Sequence, residues 1–135
     1  MVSIKEVKIL EFNDFKDKEG HLVPLEQNGE VPFSIKRVYY VFGVSTRNPR
    51  GEHSHFITDQ LLICLKGKCE VRCNDGYNEK NFVLDSPSQG LYIPAMIWGE
   101  QVYNKDTILL VLASTHYDKA DYIENWNDFV KEVDK

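Results

Sequence analysis

The stretch Gln60-Leu-Leu-Ile-Cys-Leu-Lys-Gly-Lys-Cys-Glu-Val-Arg-Cys-Asn-Asp-Gly76 decides the fold class. It opens as an apolar run and breaks at Lys66-Gly67. It resumes with Cys69, Val71 and Cys73 alternating with Glu70 and Arg72. A period of two marks a strand with one buried face. Lys66-Gly67 is turn chemistry, and Asn74-Asp75-Gly76 is a second sharp turn. The spacing predicts strands over 60–65 and 68–73, hairpinned so that Cys64 faces Cys69. On this reading the cysteines are small buried hydrophobes on strands.

Working outward, the same pattern recurs. Strands are expected over 7–12, 21–26, 33–42, 78–84, 91–93, 97–103 and 107–113. Turn or loop residues separate them at Asp17-Lys-Glu-Gly20, 43–51, 86–90 and Asn104-Lys105-Asp106. Only the end differs. From Asp118 onward, Tyr122, Ile123, Trp126, Phe129, Val130 and Val133 recur at steps of three and four, which predicts a helix. Many short strands with one terminal helix point to an all-β sandwich or barrel. A parallel α/β fold is disfavoured, because no helices sit between the strands.

Composition narrows the classes. The chain has 135 residues, 42% hydrophobic and 27% charged, with net charge −5. That is one globular domain with room for a core. No apolar run approaches the roughly 20 residues of a spanning helix, so no membrane association is expected. The acidic balance argues against a nucleic-acid partner, which would need a basic face. It leaves room for one small anion held by well-placed arginines. The start, residues 1–12, shows no apolar signal segment, and the cysteine count is odd. Reduced thiols and a cytoplasmic location are therefore expected.

The segment richest in chemistry is Pro49-Arg50-Gly51-Glu52-His53-Ser54-His55. Two histidines two apart on a strand point the same way. Both rings can then face one cavity, with pKa values near neutrality that suit acid–base work or metal ligation. The bland alternative is a pair of surface histidines on a loop. His21 and His116 lack such a partner and are read as structural or exposed.

Gln60 and Gly67 follow the pair, and Gly90-Leu-Tyr-Ile-Pro94-Ala-Met-Ile-Trp98-Gly99 comes later. Together these resemble the two-part signature of the cupin superfamily, which are small jelly-roll barrels with an internal site. Two of the usual four metal-ligand positions depart from the pattern. Gln60 stands in place of a glutamate, and Trp98-Gly99 supplies no histidine. A catalytic zinc-like site wants three protein ligands. A metal-independent site without cofactor is expected, its two histidines free for proton transfer.

The flanks sharpen the resemblance. Pro32-Phe-Ser-Ile-Lys-Arg37-Val-Tyr39-Tyr40, the His53/His55 segment, Leu84-Asp-Ser-Pro87, Trp98, and Val111-Leu-Ala-Ser114 through Tyr117 to Asp121-Tyr122-Ile123 span nearly the whole chain. Taken together, the chain resembles the dTDP-sugar 3,4-ketoisomerases. The resemblance implies a single cupin domain over 1–135, a jelly-roll barrel with a short C-terminal helix. It implies conversion of dTDP-4-keto-6-deoxyglucose to a dTDP-3-keto-6-deoxyhexose. That product would feed 3-amino-sugar synthesis for lipopolysaccharide O-antigen. It also implies a homodimer that exchanges N-terminal strands.

Within that frame His55 is expected to be the main base at C3, with His53 as partner in proton movement. Arg37 and Arg50 are expected on the diphosphate, where an arginine fork suits paired oxygens. One of Tyr39 and Tyr40 must face inward to a sugar oxygen; Tyr39 is carried forward, although alternation alone does not choose. Trp98 is expected to pack on sugar or base, and Glu100 to meet a hydroxyl. Glu19 and Gly99 are the positions expected to bias which face of C4 is protonated, leaving a gluco or galacto product open. The competing readings are a dTDP-sugar 3,5-epimerase-like cupin and a non-catalytic nucleotide-sugar-binding cupin.

Overall fold

A computed structural model describes all 135 residues. Its strands are β1 (Lys8–Glu11), β2 (Phe15–Asp17), β3 (Gly20–Leu22), β4 (Arg37–Val41), β5 (Arg50–His55) and β6 (Gln60–Lys66). They continue as β7 (Cys69–Asn74), β8 (Glu79–Leu84), β9 (Gln89–Ile93), β10 (Trp98–Tyr103), β11 (Ile108–Ala113) and β12 (Tyr122–Ile123). One helix, α1 (Trp126–Val133), ends the chain. Two five-stranded sheets run β1-β9-β6-β11-β4 and β12-β5-β10-β7-β8, and their paired strands are antiparallel. This is the expected all-β jelly roll with a short C-terminal helix.

Apolar spacing explains the layers. β7 buries Cys69, Val71 and Cys73 in the space between the sheets, together with Leu62, Cys64, Leu91, Tyr103, Leu109 and Val111. β6 is apolar without alternation because it is covered twice: Leu62 and Cys64 face inward, while Leu61 and Ile63 meet an outer layer with Phe12, Val31, Phe33 and Leu112. The other sheet has its own cover. Trp98 and Ile123 pack under Phe129 and Val133 of α1.

Three local expectations are corrected. Lys66-Gly67 does not close a paired hairpin; it carries the chain from one sheet to the other. β6 is flanked on both sides by β11 and β9, so no edge is left for β7, which pairs with β10 and β8. Cys64 and Cys69 are thus not cross-strand partners, and all three cysteines are free and buried. Gly67 has φ +83°, and a Cβ there would come 2.8 Å from the Thr107 Cα. Only glycine fits that crossing.

The helix begins at Trp126 rather than near Asp118. Asn125 accepts from the Asp128 N–H as N-cap, while Tyr122 and Ile123 are extended and pair with His55 and Ser54. Third, the strand expected over 33–42 is confined to Arg37–Val41. Phe33 and Ile35 instead belong to the outer apolar layer over β6.

Candidate active site

The site is built on the strands flanking the gap where the two sheets do not pair with each other. β4 is an edge, and β5 is bordered by β12 only at Ser54 and His55. Inside lies a cavity of about 180 Å³, lined among others by Tyr39, Arg50, His53, Gln60, Gln101 and Tyr103.

A bulge sets the aim of β5. Gly99 of β10 faces His53 and Gln101 faces Arg50, so three steps on β5 match two on β10. The extra residue sits at Gly51, with φ +63°. Such a bulge re-aims side chains. It lets Arg50 and His53 both reach the cavity despite their odd spacing.

His53 and His55 meet through their Nε2 atoms at 3.1 Å, with rings edge to face at 4.8 Å. The Tyr122 ring lies 5.1 Å from His53 and 4.4 Å from His55. His53 lines the cavity, whereas His55 is 4% exposed and sits behind it. Of the two histidines, the one presented to the cavity is His53. The His55 Nδ1 lies 3.1 Å from Asp121 Oδ2. Asp121 is buried and also accepts from the Ile57 N–H at 2.8 Å and from the Thr58 hydroxyl.

Burial governs the titration of the pair. It depresses His53, helped by the Arg37 charge, against the pull of Glu124 and the Gly51 carbonyl. Burial and the positive charge of a protonated His53 bring His55 down to about 4, in spite of Asp121. Burial alone would raise the Asp121 carboxyl. The Thr58 and Ile57 hydrogen bonds and His55 outweigh it and hold the group below the usual carboxylate range. Near neutral pH the site therefore holds two neutral imidazoles backed by a carboxylate.

The surroundings are aromatic and cationic. Tyr39 is the inward member of its pair: its hydroxyl accepts from Gln60 Nε2 at 3.1 Å, while Tyr40 is exposed. Burial raises the Tyr39 phenol, with Tyr122 adding to it. Arg37 donates from Nη1 to the Tyr122 hydroxyl at 3.1 Å and lies 5.7 Å from the Tyr39 and Tyr117 ring centres. Its Nε and Nη2 are buried without partners. Unpaired buried donors are costly, and they mark a place where an anion would be welcome. No group of three or more His, Cys, Asp or Glu side chains converges on a point where a metal could bind.

Trp98 and Glu100 do not join this cavity. Gly99 aligns with His53 and with the inward Cys73, so its neighbours on β10 face outward. Trp98, 9% exposed, packs against Trp126 and Phe129 of α1. Glu100 pairs with Arg72 at 3.5 Å. Glu19 lies in the turn of the β2–β3 hairpin, which pairs with no other strand of the chain. Gly99 is beside His53, and a Cβ there would meet nothing within 4 Å. His21 contacts Asp14 at the surface and His116 is exposed.

Sequence reading missed the supporting residues Asp121, Thr58 and Tyr122. Asp121 and Tyr122 stand inside a motif that carried the resemblance, but their contact with His55 joins segments 66 residues apart.

Comparison with known proteins identifies the family and the fold. The family model FdtA (WxcM-like, C-terminal) matches residues 5–134. A TDP-4-oxo-6-deoxy-alpha-D-glucose-3,4-oxoisomerase from Aneurinibacillus thermoaerophilus is 42% identical over 131 residues, 96% of this chain and 94% of that protein. The sugar 3,4-ketoisomerase QdtA of Thermoanaerobacterium thermosaccharolyticum, solved with TDP, superposes with a TM-score of 0.94 at 41% identity, covering 98% and 97% of the two chains. The WlaRB TDP-quinovose 3,4-ketoisomerase of Campylobacter jejuni gives 0.90 at 44% identity, over 95% and 99%. With its family model spanning nearly every residue and these relatives matched end to end, the chain belongs to the FdtA family of sugar 3,4-ketoisomerases.

Proposed function

We propose that this enzyme acts on TDP-4-keto-6-deoxyglucose and moves its carbonyl from C4 to C3. The observation that carries the reading is the His53–His55 pair, with His53 lining the barrel cavity and His55 directly behind it. The C3 proton is acidified by the adjacent C4 carbonyl. A base removes it, the electron pair forms the C3–C4 double bond of an enediol, and a proton returns to C4. The hydroxyl proton on O3 moves to O4, so atoms and electrons balance without nicotinamide. A positioned base of this kind contributes roughly 10²–10⁴-fold.

Its place in the cavity favours His53 as the C3 base, with His55 behind it as proton partner. Tyr39 is within the same cavity and can meet a sugar oxygen. The unpaired Nε and Nη2 of Arg37 and the side chain of Arg50 are the donors for an anionic diphosphate or enediolate. The metal-independent reading rests on Gln60 and Gly99 in place of ionisable ligands. Trp98 and Glu100, on the outer face, are left out of the cavity's binding set.

The assembly proposed is a homodimer that exchanges its N-terminal hairpin. Phe15 and Leu22 face each other across β2–β3 and are 62% and 61% exposed. Glu19 lies in the turn of this hairpin, so the exchange would carry it toward the partner's site. Together with Gly99 it would then bias the face of C4 that is protonated. The product is proposed to feed 3-amino-sugar synthesis in the cytoplasm.

Incubation with TDP-4-keto-6-deoxyglucose in D₂O, followed by NMR, tests the function. The expected product carries its carbonyl at C3, with deuterium at C4 to the extent that the proton held by His53 exchanges with solvent before its return. Inversion at C5 would place the enzyme with the 3,5-epimerases, and recovery of unchanged substrate without deuterium incorporation would make it a binding protein.

A further inference from the structure

The mechanism proposed above uses the two histidines but leaves the role of the buried carboxylate behind them open. Asp121 lies at the junction between β11 and β12, 7% exposed, and every hydrogen-bond contact of its carboxylate is with a donor. Its Oδ1 takes the Ile57 N–H and its Oδ2 takes the Thr58 hydroxyl and faces His55 Nδ1. An ionised carboxylate only accepts hydrogen bonds. The His55 Nδ1 must therefore carry a proton.

The consequence passes along the chain of rings. A neutral His55 protonated at Nδ1 has a lone pair at Nε2. That atom lies 3.1 Å from His53 Nε2, so the bridging proton belongs to His53. The two rings are thus held in a directed series: His53 Nε2–H to His55 Nε2, and His55 Nδ1–H to Asp121. The charged and titratable groups around the series are Arg37, Tyr39, Tyr122 and Glu124. Of these, none contacts His55 Nδ1, which leaves Asp121 as its only hydrogen-bond partner.

We propose that Asp121 is a positioning residue which sets the tautomer of His55 and, through it, the direction in which a proton leaves His53. This rests on the ketoisomerase reading for its use, not for its existence. When His53 gains the C3 proton at its other ring nitrogen, where the Gly51 carbonyl favours the protonated ring, its Nε2 proton passes to His55 Nε2. The positive charge then sits beside the Asp121 carboxylate instead of at the cavity. Return of the proton to C4 runs the series backwards, and no proton is gained or lost overall.

Asp121→Asn tests the proposal because the backbone decides which way the amide faces. The Ile57 N–H needs an oxygen, so the amide NH₂ would turn toward His55 Nδ1. His55 would then carry its proton on Nε2, and the series would reverse.

The measurement is ¹H–¹⁵N NMR of protein with labelled histidine, without substrate. The native protein is expected to show His55 protonated at Nδ1 and His53 at Nε2, and Asp121→Asn is expected to exchange the two His55 nitrogens. In the same variant kcat should fall about 10²-fold or more, with KM little changed and the acidic limb of the pH profile displaced. Asp121→Glu, which retains a carboxylate, should keep the native tautomer. A native spectrum with His55 protonated at Nε2 would overturn the proposal, even if Asp121→Asn failed to fold. So would an Asp121→Asn spectrum unchanged from the native one. If the NMR pattern is as expected but no isomerase activity is found, the functional reading fails and the tautomer assignment stands.

Discussion

His53 and His55 occupy one face of β5 because the strand period is two, and the bulge at Gly51 brings Arg50 to the same cavity as His53. Their inequality comes from depth. His53 borders the cavity, and His55 is sealed between Tyr122, Asp121 and His53. His53→Asn keeps the polarity and approximate size of the side chain but removes the basic nitrogen. Turnover is expected to drop by about 10²–10⁴-fold, with TDP affinity retained in a calorimetric titration. Near-native turnover in that variant would move the base elsewhere, first to Tyr39.

The β2–β3 hairpin is the element whose residues have least to do within one chain. Its two strands hold six residues, all exposed, and pair only with each other. A two-stranded hairpin alone is marginal in water. Phe15 opposite Leu22 is an apolar pair that burial against another copy would stabilise by roughly 1.5–3 kcal/mol per side chain. Phe15→Asp combined with Leu22→Asp is expected to shift the protein from dimer to monomer in light scattering. A native protein that is already monomeric, or a dimer unaffected by the pair, would remove the exchange.

For the whole molecule the buried histidines set a pH limit. Both carry lower pKa values when folded than the usual 6.5, with His55 near 4. The unfolded chain therefore binds more protons than the folded one as pH falls below about 6.5. Stability is highest above that pH and is lost progressively toward pH 4, by about 3 kcal/mol for His55 alone. Asp121, held below the usual carboxylate range, extends the loss in the same direction at lower pH. The urea midpoint should fall between pH 7.5 and pH 4.5, and replacing His55 with Gln should flatten that slope. An unchanged slope in the variant would show that other groups govern the acid response.

Much of this protein follows from local spacing. The alternation of Cys69, Val71 and Cys73 gives β7, the succession of short strands gives an all-β sandwich or barrel, and His53-Ser54-His55 places two imidazoles on one face. Such readings succeed because a strand's backbone repeats every two residues whatever surrounds it. The expectation that Trp98, Gly99 and Glu100 share the site ignored that same alternation, and the register of β10 against β5 and β7 separated them. Long-range competition settled the rest. Whether Lys66-Gly67 joined two paired strands or two sheets depended on β11 and β9 taking both edges of β6. The extended form of Tyr122-Ile123, against a helical spacing, depended on pairing with His55 and Ser54. The bulge that turned Arg50 inward and the contact of Asp121 with His55 have no local signature. Each is fixed by segments that meet only when the barrel closes, and there the exchange of hydrogen bonds and buried surface outweighs local preference.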